Sequence, residues 1–180
     1  AGADAFAGGV RRLERLGTEP PEIGPTAIVD TGQERYPIWV GAGELTRVPN
    51  RLRQLGLEGS VYLVADEAVM QPHGQRLVEV LDANGYQGAS YVVPSGEASK
   101  HLRVAGEIYH WLAESRAERR DVLVALGGGV VGDLAGYVAA TYLRGMPFIQ
   151  VPTSVLAMND AAIGGKVAVD LPEGKNLVGA

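Results

Sequence analysis

The sequence predicts an α/β fold: a mainly parallel sheet with helices on both faces. Short apolar runs alternate with helical patterns of about ten or more residues, the signature of βαβ units. One run, Val61–Val64, is of the buried type. Another, Val122–Leu126, runs into three glycines and then directly into a helical pattern.

Taken in order, residues 1–26 form a separate piece. AFAGGVRRLERLG has some helical character that Gly8-Gly9 weakens. TEPPEIGP then packs three prolines into eight residues and reads as a linker. The regular pattern begins near Thr26. Ala27–Asp30 and Tyr36–Val40, separated by polar residues, predict a hairpin. Helices are expected over Leu45–Leu55, Gln75–Leu81 and Leu102–Leu112, where Ala105, Ile108 and Leu112 share a face. Strands are expected at Val61–Val64, Tyr91–Val93, Asp121–Leu126 and Phe148–Val151. Val131–Tyr142 and Ser154–Ala162 complete the expected helices.

Composition bounds the function. The chain has 180 residues, 46% hydrophobic and 21% charged, ordinary for a globular domain with a real core. A net charge of −5 argues against general nucleic-acid binding. No apolar run reaches the roughly 18 residues of a transmembrane helix, and no cationic start precedes an apolar segment as in a secretory signal. The absence of cysteine excludes disulfides and thiolate metal sites and fits a reducing cytoplasm. The ends, Ala1 and Gly179-Ala180, read as cuts from a longer polypeptide.

In parallel sheets ligands bind beyond the carboxyl ends of the strands, and the informative motifs fall at such ends. Gly127-Gly128-Gly129-Val130-Val131-Gly132 satisfies G-x-G-x-x-G between a strand and a helix, the context of a pyrophosphate site. The usual dinucleotide motif follows the first strand and has an acidic residue about twenty positions on. This one follows a late strand, with Pro152 near that distance. A tight, closely packed strand-to-helix turn is the competing reading. Asp133 is either a first-turn acid stabilised by the helix dipole or an acceptor for a ribose or nicotinamide group. Ser95-Gly96-Glu97-Ala98-Ser99-Lys100 is either a helix cap or a pair, Glu97 and Lys100, on one face beside a ligand. Asp66 either accepts from ribose hydroxyls or caps a turn. Arg144 sits in a short loop where a guanidinium suits phosphate but is more often solvated. Gly164-Gly165-Lys166 and Lys175-Asn176 are poor core material and good material for an anion pocket. His73, His101 and His110 lack ligand spacing, so no complete metal site is expected.

GGGVVGDLAGYVAATYLRG followed by PTSVLAMNDAAIGGKVAVDLPEGKNLVGA closely resembles the 3-dehydroquinate synthases, which are sugar-phosphate cyclases. SGEASK and RYPIWVGAGEL resemble further segments of that family. The resemblance covers residues 27–180 in consistent order and leaves 1–26 outside. It implies a Rossmann-like, NAD-binding N-terminal domain of a dehydroquinate-synthase-like fold. The implied reaction converts 3-deoxy-D-arabino-heptulosonate 7-phosphate, a sugar phosphate, to 3-dehydroquinate and phosphate in the shikimate pathway. NAD is recycled within the turnover. It implies cofactor contacts at Asp66, Glu97, Lys100, Asp133, Thr153 and Ser154, and along Gly128, Gly129 and Val130. Asp160, Lys166, Lys175 and Asn176 fall on positions that contact substrate or nicotinamide. The equivalent of Arg144 reaches a neighbouring subunit's substrate phosphate, which implies a homodimer.

The sequence departs from the family at Ala161-Ala162, Val167 and Asp170. A carboxylate at 170 would repel an acidic substrate unless paired, so Asp170 is a doubtful substrate ligand. The family's divalent metal, zinc or cobalt, would take its glutamate and histidine ligands from beyond Ala180, so the 180-residue piece alone is expected to be inactive. The competing readings are another sugar-phosphate cyclase, such as an aminodehydroquinate or epi-valiolone synthase, a non-catalytic NAD-binding module, and the iron-dependent alcohol or glycerol dehydrogenases. The Gly-Gly-Lys to Lys-Asn block argues against the last.

Overall fold

The computed structural model describes residues 24–30, 32 and 35–180. The expected linker or tail lies outside the described residues up to position 23. The chain divides into two compact units, Ala1–Glu44 and Leu45–Ala180.

The described part of the first unit is a hairpin. β1 (Ala27–Asp30) pairs antiparallel with β2 (Arg35–Ile38), in register from Ala27 opposite Ile38 to Asp30 opposite Arg35. Thr26 extends it, accepting the Val40 N–H on Oγ1 at 2.9 Å.

The second unit is built on four parallel strands in the order β4 (Gly88–Val93), β3 (Val61–Asp66), β5 (Val122–Gly127), β6 (Phe148–Pro152). The chain steps from β3 outward to β4, then returns past β3 to β5 and on to β6. The winding direction therefore reverses between β3 and β5.

β3 and β5 are the central strands and are buried on both faces, as their continuous apolar runs require. Their side chains alternate between two cores. Val61, Leu63, Ala65, Val122, Val124 and Leu126 meet Leu52 of α1 (Glu44–Gln54) and Leu77 and Leu81 of α2 (Gln75–Ala83). Tyr62, Val64, Leu123 and Ala125 meet α3 (Leu102–Glu114) and α4 (Gly129–Thr141) through Val104, Ile108, Leu112, Val131, Leu134 and Val138. Each buried valine or leucine contributes roughly 1.5–3 kcal/mol. The mainly parallel sheet with helices on both faces expected from the sequence is present.

Two segments after β6 differ from the sequence expectation. The helix expected over Ser154–Ala162 is the single turn α5 (Val155–Asn159), capped by Ser154 Oγ on the Ala157 N–H at 3.2 Å. Gly164 and Gly165, both at positive φ, belong to the loop beyond it, a conformation no helix tolerates. Then comes a hairpin with no counterpart in the sequence reading, β7 (Ala168–Leu171) and β8 (Gly174–Gly179). Its polar Asp170, Lys175 and Asn176 disguise the strand pattern. Val169, fully buried in the core under α3 and α4, anchors it.

Candidate functional site

The site forms where the winding reverses, at the carboxyl ends of β3 and β5, the place where open α/β sheets bind ligands. β5 ends at Gly127, and α4 starts two residues later behind Gly128, with no side-chain cap. The first intrahelical bond is Gly132 N–H to Gly128 O at 3.1 Å. The amides that open α4 therefore point outward without a helical acceptor, an anion-attracting terminus.

The glycines differ in purpose. A Cβ at Gly127 would lie 3.1 Å from the Asp66 Cβ, so this glycine lets β3 and β5 end side by side. A Cβ at Gly128 would meet nothing nearer than Ser154 Oγ at 3.7 Å, so its freedom from a side chain keeps space open instead of relieving a clash. Gly132 and Gly136 serve packing: their Cβ positions fall 2.6 Å from Gln150 Oε1 and 2.3 Å from Val167 Cγ1. The tight-packing reading thus holds for Gly127, Gly132 and Gly136, while Gly128 faces open space.

Strand pairing also places an acid beside the glycine turn. Ala65 pairs with Leu126, which sets Asp66 beside the glycine turn. Asp66 Oδ1 accepts from Ala68 N at 2.9 Å and from Ser95 Oγ at 2.5 Å. Asp66 is thus a turn cap, and Oδ2 makes no hydrogen bond among the described residues. Ser95 orients this carboxylate and was missed as a site residue in the sequence. Its position at the end of the neighbouring β4 was the available signal.

A second cluster centres on Lys100, 5% exposed. Its Nζ donates to Asp133 Oδ2 at 2.5 Å and to Asn176 Oδ1 at 2.5 Å. Three distant segments thus converge: the loop after β4, the first turns of α4, and β8. Glu97, exposed, takes a separate partner, Lys175 Nζ at 3.1 Å. Glu97 and Lys100 do not share an environment, since the 3₁₀ turn Glu97–Ser99 buries the lysine and leaves the glutamate outside. Both nonetheless reach consecutive residues of β8.

Beside this cluster lies an open cleft of about 490 Å³ lined by Asp133, Asp160, Lys166 and Asn176, among others. Lys166 and Asp160 are exposed along it. The Lys100 charge is matched by Asp133. The Lys175–Glu97 pair has side chains 70% and 44% exposed and contributes at most about 1 kcal/mol, so it can open for a ligand. Lys166 thus lines the cleft exposed, and Lys175 is held only by this weak pair. Thr153 N donates to Gly127 O at 2.9 Å, and Ser154 caps α5, so both flank the glycine turn. Val130 lies in the first turn of α4. Arg144 stands apart, exposed at the amino end of β6 with φ +65°, and joins neither cluster. Asp170, read as doubtful for substrate, is paired: Oδ1 accepts the Asn176 N–H at 2.7 Å. Among the described residues no group of three His, Cys, Asp or Glu side chains is placed to hold a metal ion.

The family model described as "3-dehydroquinate synthase N-terminal" matches residues 90–180. The 3-dehydroquinate synthase of Symbiobacterium thermophilum is 49% identical over 153 residues, covering 84% of this chain and 43% of that protein. A solved 2-deoxy-scyllo-inosose synthase, complexed with carbaglucose-6-phosphate, NAD+ and Co2+, is 28% identical with a TM-score of 0.75, covering 85% of this chain and 41% of that one. The 2-epi-5-epi-valiolone synthase of Streptomyces hygroscopicus, with NAD+ and Zn2+ bound, is 27% identical with a TM-score of 0.67, covering 74% and 38%. The chain spans less than half the length of these relatives.

Proposed function

Since the chain belongs to the 3-dehydroquinate synthase N-terminal family, we propose that it forms the cofactor-binding half of an enzyme converting 3-deoxy-D-arabino-heptulosonate 7-phosphate to 3-dehydroquinate and phosphate. One observation carries the reading: Asp66, the glycine turn and the amino terminus of α4 meet at the winding reversal, beside a Lys100–Asp133–Asn176 cluster that opens on a cleft with Lys166. In this proposal residues 27–180 are the NAD-binding domain and 1–26 a linker or tail before it.

NAD fits the residues present. The space over Gly128 is one that a side chain would fill without touching the protein's own backbone. The amides of Gly129 and Val130 take the diphosphate, and Asp66, steadied by Ser95, takes ribose hydroxyls. Lys100 and Asp133 border the nicotinamide end. Glu97, Thr153 and Ser154 line the approach. When bound, NAD supplies a reversible hydride acceptor, and the protein supplies position and charge. Lys166, Lys175 and Asn176 hold the anionic groups of the substrate, and Asp160 accepts from its hydroxyls. The described residues do not themselves make a metal site. In this proposal a zinc or cobalt ion, as in the related cyclases, takes its glutamate and histidine ligands from beyond Ala180.

Arg144 lies outside its own chain's cluster, which supports a role across a homodimer toward the partner's substrate. No described helix is long and apolar enough to cross a membrane. The cytoplasm and the shikimate pathway complete the proposal. The 49% identity to a dehydroquinate synthase against 27–28% to the other cyclases favours this branch. The test is phosphate release by the protein as the cell makes it, with heptulosonate 7-phosphate against a hexose 6-phosphate, before and after stripping NAD. Release from the hexose phosphate alone would move the protein to a sister branch, and NAD-independent release would remove the cofactor site.

A further inference from the structure

The register of the last hairpin changes within two residues. Val169 lies opposite Val178, and Leu171 lies opposite Gly174. Asp170 on β7 therefore faces three residues of β8, Lys175, Asn176 and Leu177, which arch away from the ladder. Lys175 and Asn176, the pair assigned to the substrate, are presented by this arch.

Asp170 ties the arch to the Lys100 loop through two bonds. Its backbone N–H leaves the hairpin and donates to Lys100 O at 2.8 Å. Its side-chain Oδ1 takes the place of the missing strand carbonyl and accepts the Asn176 N–H at 2.7 Å. Asn176 sits at φ +56°, a left-handed conformation that asparagine tolerates better than most residues but that still needs a partner to fix it. From that conformation the Asn176 carboxamide turns back to Lys100 Nζ, whose other acceptor is Asp133. The bonds close a ring: Asp170 to Lys100, Lys100 to Asn176, Asn176 to Asp170.

We infer that Asp170 is a positioning residue for the proposed reaction, setting the direction of the Asn176 carboxamide and the Lys175 ammonium through the bulge instead of touching substrate. Its charge is directed into the hairpin, which is how a carboxylate is accommodated beside an anion pocket. What the position requires is an acceptor oxygen at that reach, not a negative charge. The inference rests on the reading of Lys175 and Asn176 as substrate-facing, and its test separates the two.

The test uses the protein as the cell makes it and compares Asp170→Ala with Asp170→Asn, which keeps an acceptor and removes the charge. Hydrogen exchange at the Asn176 amide and steady-state kinetics with the heptulosonate phosphate are both measured. Asp170→Ala should speed Asn176 exchange by about tenfold or more and lower kcat/KM by about tenfold or more. Asp170→Asn should keep both within about threefold of wild type. Asp170→Ser, too short to reach the amide, carries the same comparison should the alanine variant not fold. If alanine and asparagine lower kcat/KM equally while Asn176 exchange stays at the wild-type rate, the charge acts directly and the positioning role is wrong. If alanine leaves both quantities unchanged, the role is equally wrong. Should wild type not turn over the heptulosonate phosphate, the proposed reaction fails on its own, and Asn176 exchange still decides whether Asp170 holds the arch.

Discussion

Lys100 Nζ lies 2.5 Å from Asp133 Oδ2, with the two side chains only 6% and 19% exposed. A lysine so withdrawn from water is tolerated because Asp133 and Asn176 both accept from it. The pair joins the loop after β4 to the first turns of α4, so it is a structural clamp whose Asp133 also lines the cleft.

Removing one partner should leave an uncompensated charge. Lys100→Met or Asp133→Asn alone should cost about 3 kcal/mol in urea denaturation. The double variant should cost clearly less than the sum, with a coupling above about 1 kcal/mol. Additive losses would mean that the two side chains do not depend on each other.

Gly128→Val should separate fold from ligand. A Cβ there makes no contact closer than 3.7 Å, so the stability cost should be no more than the roughly 1 kcal/mol of a poorer N-cap residue. A bulky side chain over the α4 terminus should weaken NAD binding by about tenfold or more, read by calorimetry. Unchanged affinity would place the diphosphate elsewhere.

Gly136→Ala should act farther along the same helix. The added methyl falls 2.3 Å from Val167 Cγ1 and 2.9 Å from Phe148 Cε1. Overpacking of this kind costs typically about 1–3 kcal/mol. Because Val167 adjoins Lys166, the substrate KM should rise along with the loss of stability. Loss of stability with KM unmoved would detach Lys166 from the pocket.

Lys166→Met and Lys175→Met should each lower kcat/KM for the heptulosonate phosphate, since a charged hydrogen bond contributes about 1.5–3 kcal/mol. NAD affinity should hardly change. Changes within about twofold, roughly 0.4 kcal/mol, would make them ordinary surface charges.

The stability of the fold should decline in alkali. Burial raises the hydroxyls of Tyr62, Tyr86, Tyr91 and Tyr109 above the usual 10.0, with Asp121 adding at Tyr62 and Glu107 at Tyr91. A raised folded value means the native state holds these protons more tightly. The stability they confer is full below about pH 10 and is lost as pH rises through the folded values. Denaturation midpoints measured upward from that pH should fall, and fall less for Tyr62→Phe. A flat profile would contradict the shifts.

Much of this protein was legible in one dimension. Continuous apolar runs marked the central strands β3 and β5, because a strand covered on both faces has no polar side to show. Helical periodicity marked α1 to α4. The glycine turn, Asp66, Asp133, Lys100 and the Lys-Asn pair were recognisable as chemistry-bearing residues, because glycines and charges at strand ends have few packing uses. What they do to one another was decided only by the tertiary structure. Parallel pairing of β3 with β5 put Asp66 beside Gly127. The bulge of β8 gave Asp170 its partner and turned Asn176 toward Lys100. Sequence spacing reports which side chains share a face of one element. Hydrogen bonds between distant elements depend on strand order and register, which arise only when the whole apolar core closes.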